Sequence, residues 1–531
     1  MAVLAGLPVA AVLVAVWLFM DPRTPDLAAQ VYRVGLFDHR GFAVWDEHWY
    51  AGHHLPGYSL LFGPLASLLG LRVVAALSVL ASVALFERLV LAVYGSSARW
   101  GAVWFALAAV GDIWIGRLTF ALGVAFAVAA VLAYVHKRSF SAGALAALCA
   151  AGSPVAGVLL ALAGLTHALA RRSSRAVLVL AAPAAVVVVS LALLFPEGGF
   201  EPYPTTSFAA TLLVTLAFLW ALPPAQRLLR TGGVVYLLAC VLCLVVPTPI
   251  GSNVERYGVL LAGPLLLCAL AVSGAHTGRP SGPAFGRRPA PALLMVLLGI
   301  AVWVGWGPVR ETIAVAGNES TRASYYALVK RFLAGRAGEP LRIEVPLTRS
   351  HWEAALLAPE VSLARGWEKQ LDTRFDAVLL APGLTAVGYD RWLKEEAVSY
   401  VALPDTPLDP SSAQEGRLIR RGLPYLREVF RGRHWRIYEV LHPTPLLQGP
   451  GRLTYLGHDS FALRASSPGG FLVRVRFTRY WALTAGSGCV GSAPGGWTSV
   501  TAREPGVVTV AARFSLARAL GLDGGYCPSP R

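Results

Sequence analysis

Between residues 71 and 306 the chain is a succession of apolar runs. They fall at 71–93, 100–113, 118–135, 142–152, 155–170, 176–195, 208–222, 234–246, 257–273 and 291–306, and a further run occupies 2–20. A helix needs about 20 predominantly apolar residues to cross a bilayer core. Several runs are shorter, so their ends must take in flanking residues or lie where the bilayer thins. Composition points the same way, with 55% hydrophobic and only 14% charged residues and a mean hydropathy of +0.56. Soluble chains of this length seldom have that balance, whereas polytopic membrane proteins do. The first run lacks a basic leader and a small-residue cleavage site, so it reads as a span and not as a signal peptide.

Charge then orders the runs. Arg88 and Arg99, His136-Lys137-Arg138, Arg171-Arg172 with Arg175, Arg227 with Arg230, and Arg279 with Arg287-Arg288 fall in every second connection. Those connections read as cytoplasmic. The alternate ones, 111–117, 153–154, 196–207 and 247–256, are poorer in Lys and Arg and read as external. The scheme requires that 58–69, about 12 residues long, lies at the interface without crossing. It predicts about eleven spans in the plasma membrane, a cytoplasmic N-terminus and an extracytoplasmic tail. The net charge of +16 is then a matter of positive-inside loops and an Arg-rich surface in contact with membrane lipids. No nucleic-acid-binding motif accompanies it, which excludes that partner class.

Three domains are expected. Residues 1–307 form the transmembrane domain, with an external loop at 21–70. Residues 308–449 read as α/β, with strands at 342–346, 377–380, 398–403 and 435–440 and helices at 389–395 and 414–430. Residues 450–531 read as a small β-sandwich of short strands, at 461–464, 470–477 and 507–514, between glycine turns. Cys489 and Cys527 are the two cysteines of this tail and read as a disulfide, hence an oxidising exterior. The other four lie in apolar runs as small core residues. Cys240 and Cys243 have no second pair and no nearby His, which argues against zinc.

The densest group of titratable and aromatic residues is the loop 21–70. It holds Asp21, Asp26, Tyr32, Arg33, Asp38, Asp46, Glu47, His48, His53, His54 and Tyr58. Such a loop either serves as a solvated tether or floors a cleft; its length and aromatic content favour the cleft. Its pattern resembles the GT-C superfamily of membrane glycosyltransferases, which includes protein O-mannosyltransferases, arabinofuranosyltransferases and bacterial membrane proteins described as related to 6-pyruvoyl-tetrahydropterin synthase. The matching features are one span, an external acidic residue (Asp26 in PDLAAQVYR) and an aromatic loop. A Tyr-x-x-x-x-x-Pro-Leu segment from Tyr58 follows, then a span ending in Glu87-Arg88 and a second external loop, GDIWIGR. The resemblance covers 1–306. Many relatives carry an acidic residue after Arg-Gly in that second loop; here Leu118 and Thr119 follow Arg117 and Asp112 precedes it. The segment ARGWEKQLD at 364–372 is similar to actinobacterial members.

The resemblance implies transfer of a sugar from a polyprenyl-phosphate donor to a glycan, lipid or protein acceptor on the outer face, with inversion. Decaprenyl-phosphoryl arabinose and polyprenyl-phosphate mannose are the donors it suggests. Such a reaction needs a base at the acceptor hydroxyl, and Asp26 suits that role, with Asp21 as its rival. Tyr32 and Arg33 stand one or two turns further on. A phosphate leaving group needs fixed positive charge. Arg256, at an external span entrance, and Arg117 suit it, because guanidinium matches phosphate in two contacts. Asp46, Glu47 and His48 read as acceptor contacts, metal ligands or a solvated turn. Neighbours in an extended segment point opposite ways, so a divalent metal would need Asp112 as well. His53 and His54 more often cap or hydrogen-bond than ligate; with Tyr58 they are expected to shape the acceptor groove. In the tail, Glu344, His351, Trp352, Glu353, Arg365, Trp367 and Asp372 mix aromatic and polar groups as sugar-binding surfaces do, although such residues are commonly core. The sandwich reads by analogy as carbohydrate-binding. Asn318-Glu319-Ser320 matches a glycosylation sequon, a match that chance explains as well.

Two other functions fit a chain of this kind. A transporter or flippase of lipid-linked saccharide would show paired inverted repeats, and none is legible. A non-catalytic envelope assembly protein would have no need of Asp26.

Overall fold

The computed structural model describes residues 5–275, 289–336, 338, 340–522 and 527. Arg279, Arg287 and Arg288 lie outside the described residues. The chain divides into two compact units. One comprises Met1–Gln30, Gly57–Leu193 and Gly199–Ile313; the other comprises Val31–Pro56, Leu194–Gly198 and Ala314–Arg531. Most of the loop after the first apolar run therefore belongs to the second unit.

The first unit is helical. Its apolar runs form helices Gly6–Met20, Leu71–Tyr94, Arg99–Trp114, Leu118–Val135, Ser139–Gly152, Pro154–Arg171, Val177–Leu194, Thr205–Ala221, Arg227–Val245, Glu255–Ala275 and Ala290–Val315. Among the described residues seven are long and apolar enough to cross a membrane, or eight if Gly6–Met20 and Pro25–Arg40, bent by 79°, make one span. This is fewer than the eleven expected. Arg99–Trp114, Ser139–Gly152 and Thr205–Ala221 are 16, 14 and 17 residues long. At 1.5 Å per residue they reach only about 21–26 Å. The helix Phe62–Leu69 has 8 residues and is about 12 Å long, too short to cross.

Close helix contacts in this unit rest on small residues, as is usual in membranes. At Gly101, a Cβ would stand 2.4 Å from Cys268 Sγ and 2.7 Å from the Pro264 carbonyl oxygen. Gly101→Val should therefore separate helices Arg99–Trp114 and Glu255–Ala275 and cost about 1–3 kcal/mol, read as a lower unfolding temperature in detergent. An unchanged temperature would contradict this packing. Glu87, fully buried, accepts hydrogen bonds from the Ala5 and Gly6 amides at 2.5 and 3.0 Å. It thereby caps the first helix, whose N-terminal amides lack intrahelical partners.

The second unit is built on sheets. A five-stranded sheet runs Ser362–Leu363, Arg342–Glu344, Tyr400–Pro404, Trp435–Val440, Leu426–Arg431. The first three strands are parallel, and the last two join antiparallel. Tyr389, Trp392, Leu393, Val401 and Ile419 fill its core. Two four-stranded antiparallel sheets follow. One runs Trp481–Ala485, Gly506–Ala512, Ser460–Ala465, Gly451–Leu456; the other runs Gly488–Ala493, Trp497–Ala502, Gly469–Arg476, Leu447–Gln448. Alternate residues such as Phe461, Leu463, Val473, Val475, Val508 and Val510 are buried, the period of a strand with one inward face. A disulfide joins Cys489 to Cys527.

Two segments of this unit differ from the sequence expectation. Residues 377–380 form a helix, Ala377–Leu380, and not a strand. Four consecutive apolar residues carry no period of their own, and the run follows the helix Lys369–Phe375 after a break at Asp376. The helix expected at 414–430 ends at Arg421. Gly422, at φ +84°, turns the chain, and Leu426–Arg431 pairs with Trp435–Val440 as a hairpin.

Candidate functional site

In the helical unit, the charged side chains of Asp26, of Asp112 with Arg117, and of Arg256 interact. Helix Pro25–Arg40 carries Asp26 in its first turn, where the helix dipole favours an anion. Its carboxylate is 37% exposed and lies 3.7 Å from Arg117 Nε. Arg117 also faces Asp112, at 3.5 Å. The turn between helices Arg99–Trp114 and Leu118–Val135 is set by Gly116, at φ +93°, where a Cβ would stand 2.4 Å from the Leu27 amide nitrogen. Only glycine lets this turn lie against Asp26 and Leu27, so Gly116 positions Arg117. Arg256, in the first turn of Glu255–Ala275, donates to Asn253 Oδ1 at 2.5 Å and lies over the Phe120 ring at 5.1 Å. It stands within electrostatic range of Arg117, Asp26, Asp112 and Tyr58. Its Nε is buried with no hydrogen-bond partner among the described residues. Gln30 donates to Tyr58 Oη at 2.6 Å.

Two guanidiniums in electrostatic range of an accessible carboxylate make a charge pattern that suits an anion. Asp21, the rival base, is instead held by Arg72 and lies 3.8 Å from Arg23. Asp112 is turned to Arg117, and among the described residues no group of three or more His, Cys, Asp or Glu is arranged to hold a metal ion.

The other loop residues gather in the second unit as a buried network. Trp45 pairs with His54 and Asp46 with His53 across a two-stranded ribbon. The tight turn between them needs Gly52, at φ +136°, because a Cβ there would enter the Trp45 ring. Tyr32 donates to Asp46 Oδ2 at 2.7 Å, and His458 bonds Asp46 Oδ1 at 2.9 Å. His48 lies against His458, ring centroids 3.8 Å apart, and bonds the Ala358 carbonyl at 2.5 Å. His53 bonds the Asp46 carbonyl at 3.0 Å, and His54 bonds Thr478 at 3.0 Å and pairs with Glu197 at 2.9 Å. Tyr32 stacks on Trp49 at 4.4 Å, and Arg33 donates to Glu368 at 2.5 Å.

Asp46, Glu47, His48 and His53 are at most 6% exposed. They therefore knit the segment together and do not present an open groove wall, because each is turned inward, three of them onto polar partners. Glu47 is the outlier: both its oxygens are buried without a hydrogen-bond partner among the described residues. Burial pushes its carboxyl well above the usual range; Arg342 pulls it down, and Asp46 and Asp459 push it up.

Burial also pushes the Asp46 carboxyl up, but the His458 hydrogen bond and the His53, His458 and His48 charges outweigh it and hold it down at about 2. The His48 imidazole is held down at about 4, first by burial and then by His458. The signs follow from linkage. Asp46 stabilises the fold fully above the ordinary carboxylate range and loses that contribution as pH falls toward 2. His48 is neutral in the fold, so its contribution is lost as pH falls from the ordinary imidazole range toward 4. The His48 ring is expected to titrate near pH 4 in histidine NMR spectra; a midpoint near 6.5, the free-imidazole value, would show that it is not enclosed.

Among the tail residues, Glu344, Arg365, Glu353 and Asp372 are buried. Arg365 bonds Glu344 and Glu415, Glu353 accepts from Thr348, and Asp372 accepts from Tyr50. These four are core and offer no sugar-binding surface. Trp367 is half-buried, stacked on His351 at 3.4 Å with Lys369 Nζ 5.5 Å from its ring. Sequence reasoning missed Gln30, Gly116, Asn253 and His458. Only Gly116, in the segment GDIWIGR, carried a signal, that of a turn between two apolar runs.

No family model matches the chain, and no curated protein matches it. Among solved structures it is similar to the arabinofuranosyltransferase AftD from Mycobacteria, determined by single-particle cryo-electron microscopy, at 17% identity and a TM-score of 0.46. The match covers 96% of this chain and 40% of that one, so the chain spans two-fifths of that protein's length.

Proposed function

We propose that the chain is a multi-pass membrane glycosyltransferase of the GT-C kind. It moves a sugar, arabinofuranose or mannose, from a polyprenyl-phosphate donor to a glycan, lipid or protein acceptor on the outer face of the plasma membrane. The observation that carries this reading is the accessible Asp26 carboxylate beside Arg117, with Arg256 in electrostatic range. Asp26 takes the proton of the acceptor hydroxyl as its oxygen attacks the anomeric carbon. The bond from that carbon to the phosphate oxygen breaks with inversion. The phosphate leaves with the electron pair and is met by Arg256 and Arg117. Separately, the Trp367 ring of the second unit is proposed as a sugar-binding contact.

Affinity for unsubstituted polyprenyl phosphate tests the anion site. Losing one charge-assisted hydrogen bond is worth about 1.5–3 kcal/mol, so Arg256→Gln should weaken binding about 10- to 100-fold. Arg256→Lys should recover part of the loss. Unchanged affinity in Arg256→Gln would remove Arg256 from the site.

A further inference from the structure

We propose that the C-terminal turn of the second unit, Phe514 to Leu522, is seated in the headgroup region of the bilayer. The turn is ordered and turned inside out. Ser515 caps it by accepting from the Arg518 amide at 3.1 Å, Arg479 donates to the Ala519 carbonyl at 2.8 Å, and the Leu522 amide donates to Ala517 at 2.8 Å. Within it, Ala519 is buried, whereas Leu516, Leu520 and Leu522 are 67%, 68% and 75% exposed. A short turn in water would put its leucines inward and its alanine outward. Clustered exposed leucines on a fixed scaffold mark a surface that meets something apolar.

The chain itself says what that is. Phe514 packs on Phe195 and Tyr480, with ring centroids 5.9 and 5.6 Å apart, and Tyr480 donates to the Leu194 carbonyl at 2.6 Å. Leu194 is the last residue of the apolar helix Val177–Leu194, one of those long enough to cross a membrane. The three-ring cluster therefore ties the turn to Leu194 and Phe195, where that helix ends in the chain. Aromatic rings are favoured where a span meets the headgroups. From Arg513 to Leu522 the segment carries Arg513 and Arg518 and no acidic residue, which suits anionic phospholipid headgroups. This seat is independent of the chemistry at Asp26.

The test uses the full chain, one copy per nanodisc, in phosphatidylcholine with phosphatidylglycerol. Leu520→Cys carries an environment-sensitive fluorophore, and Val387→Cys, at an exposed position of the same unit, is the control. Wild type supplies the background from the native thiols, and the unfolding temperature checks each variant's fold. The label at position 520 should emit to the blue of that at 387 and be quenched by lipids bearing a nitroxide near the headgroup. Water-like emission at both positions, without quenching, would overturn the proposal. So would a blue shift seen only with two copies per disc, which would make the occupant a second copy of this chain.

Discussion

Asp26→Asn is expected to slow sugar transfer by about 10²- to 10⁴-fold, the usual contribution of a positioned general base. Asparagine keeps the shape of the side chain and cannot accept the proton. Because Asp26 is 37% exposed and meets Arg117 only at 3.7 Å, the substitution removes little packing. The unfolding temperature and the affinity for polyprenyl phosphate should stay close to wild type. Asp21→Asn is the control: its carboxylate is 52% exposed and engaged by Arg72, so the rate should be unchanged. A fall in rate with Asp21→Asn and none with Asp26→Asn would move the base to Asp21.

Arg365→Leu is expected to destabilise the second unit by about 3–5 kcal/mol, the loss typical when one partner of a buried ion pair is removed. Arg365 donates to Glu344 at 2.9 and 2.5 Å, to Glu415 at 2.5 Å and to Ser412 at 3.1 Å. Both carboxylates are fully buried. Burial already pushes the Glu344 carboxyl up to about 8; Arg365 opposes this and Glu415 adds to it. Without the guanidinium, the two acids could relax only by taking up protons, so the loss should grow as pH rises. Denaturant unfolding of the full chain, followed by the tail's tryptophans, gives the magnitude. A loss under about 1 kcal/mol, the range of a surface pair, would show that the site is not enclosed.

The helical unit was legible because bilayer thickness imposes a length and a composition on every crossing helix. The span count was not legible, since runs such as 142–152 fix hydropathy but not where a helix stops. The β-rich C-terminal region was legible from period-two strands and glycine turns. The strand at 377–380 was misread because four apolar residues look alike in either structure. At the candidate site, Asp26, Arg117 and Arg256 are proposed from chemistry; the neighbours that support them carry no such pattern. His458 meets Asp46 across 412 residues of sequence, and no local pattern announces such a partner. The same distance explains why Asp46, Glu47 and His48 read as an open cluster. Their polarity is visible in the sequence, whereas the histidine, tyrosine and backbone groups that enclose them come from elsewhere.

The most direct test is turnover of arabinofuranosyl and mannosyl polyprenyl phosphates by the purified chain in nanodiscs, with an acceptor supplied and release of polyprenyl phosphate followed. The account predicts release from at least one donor, a glycoside of inverted anomeric configuration, and loss of both in folded Asp26→Asn. Passage of the donor to the other leaflet with its sugar–phosphate bond intact, and no release from either donor, would contradict it.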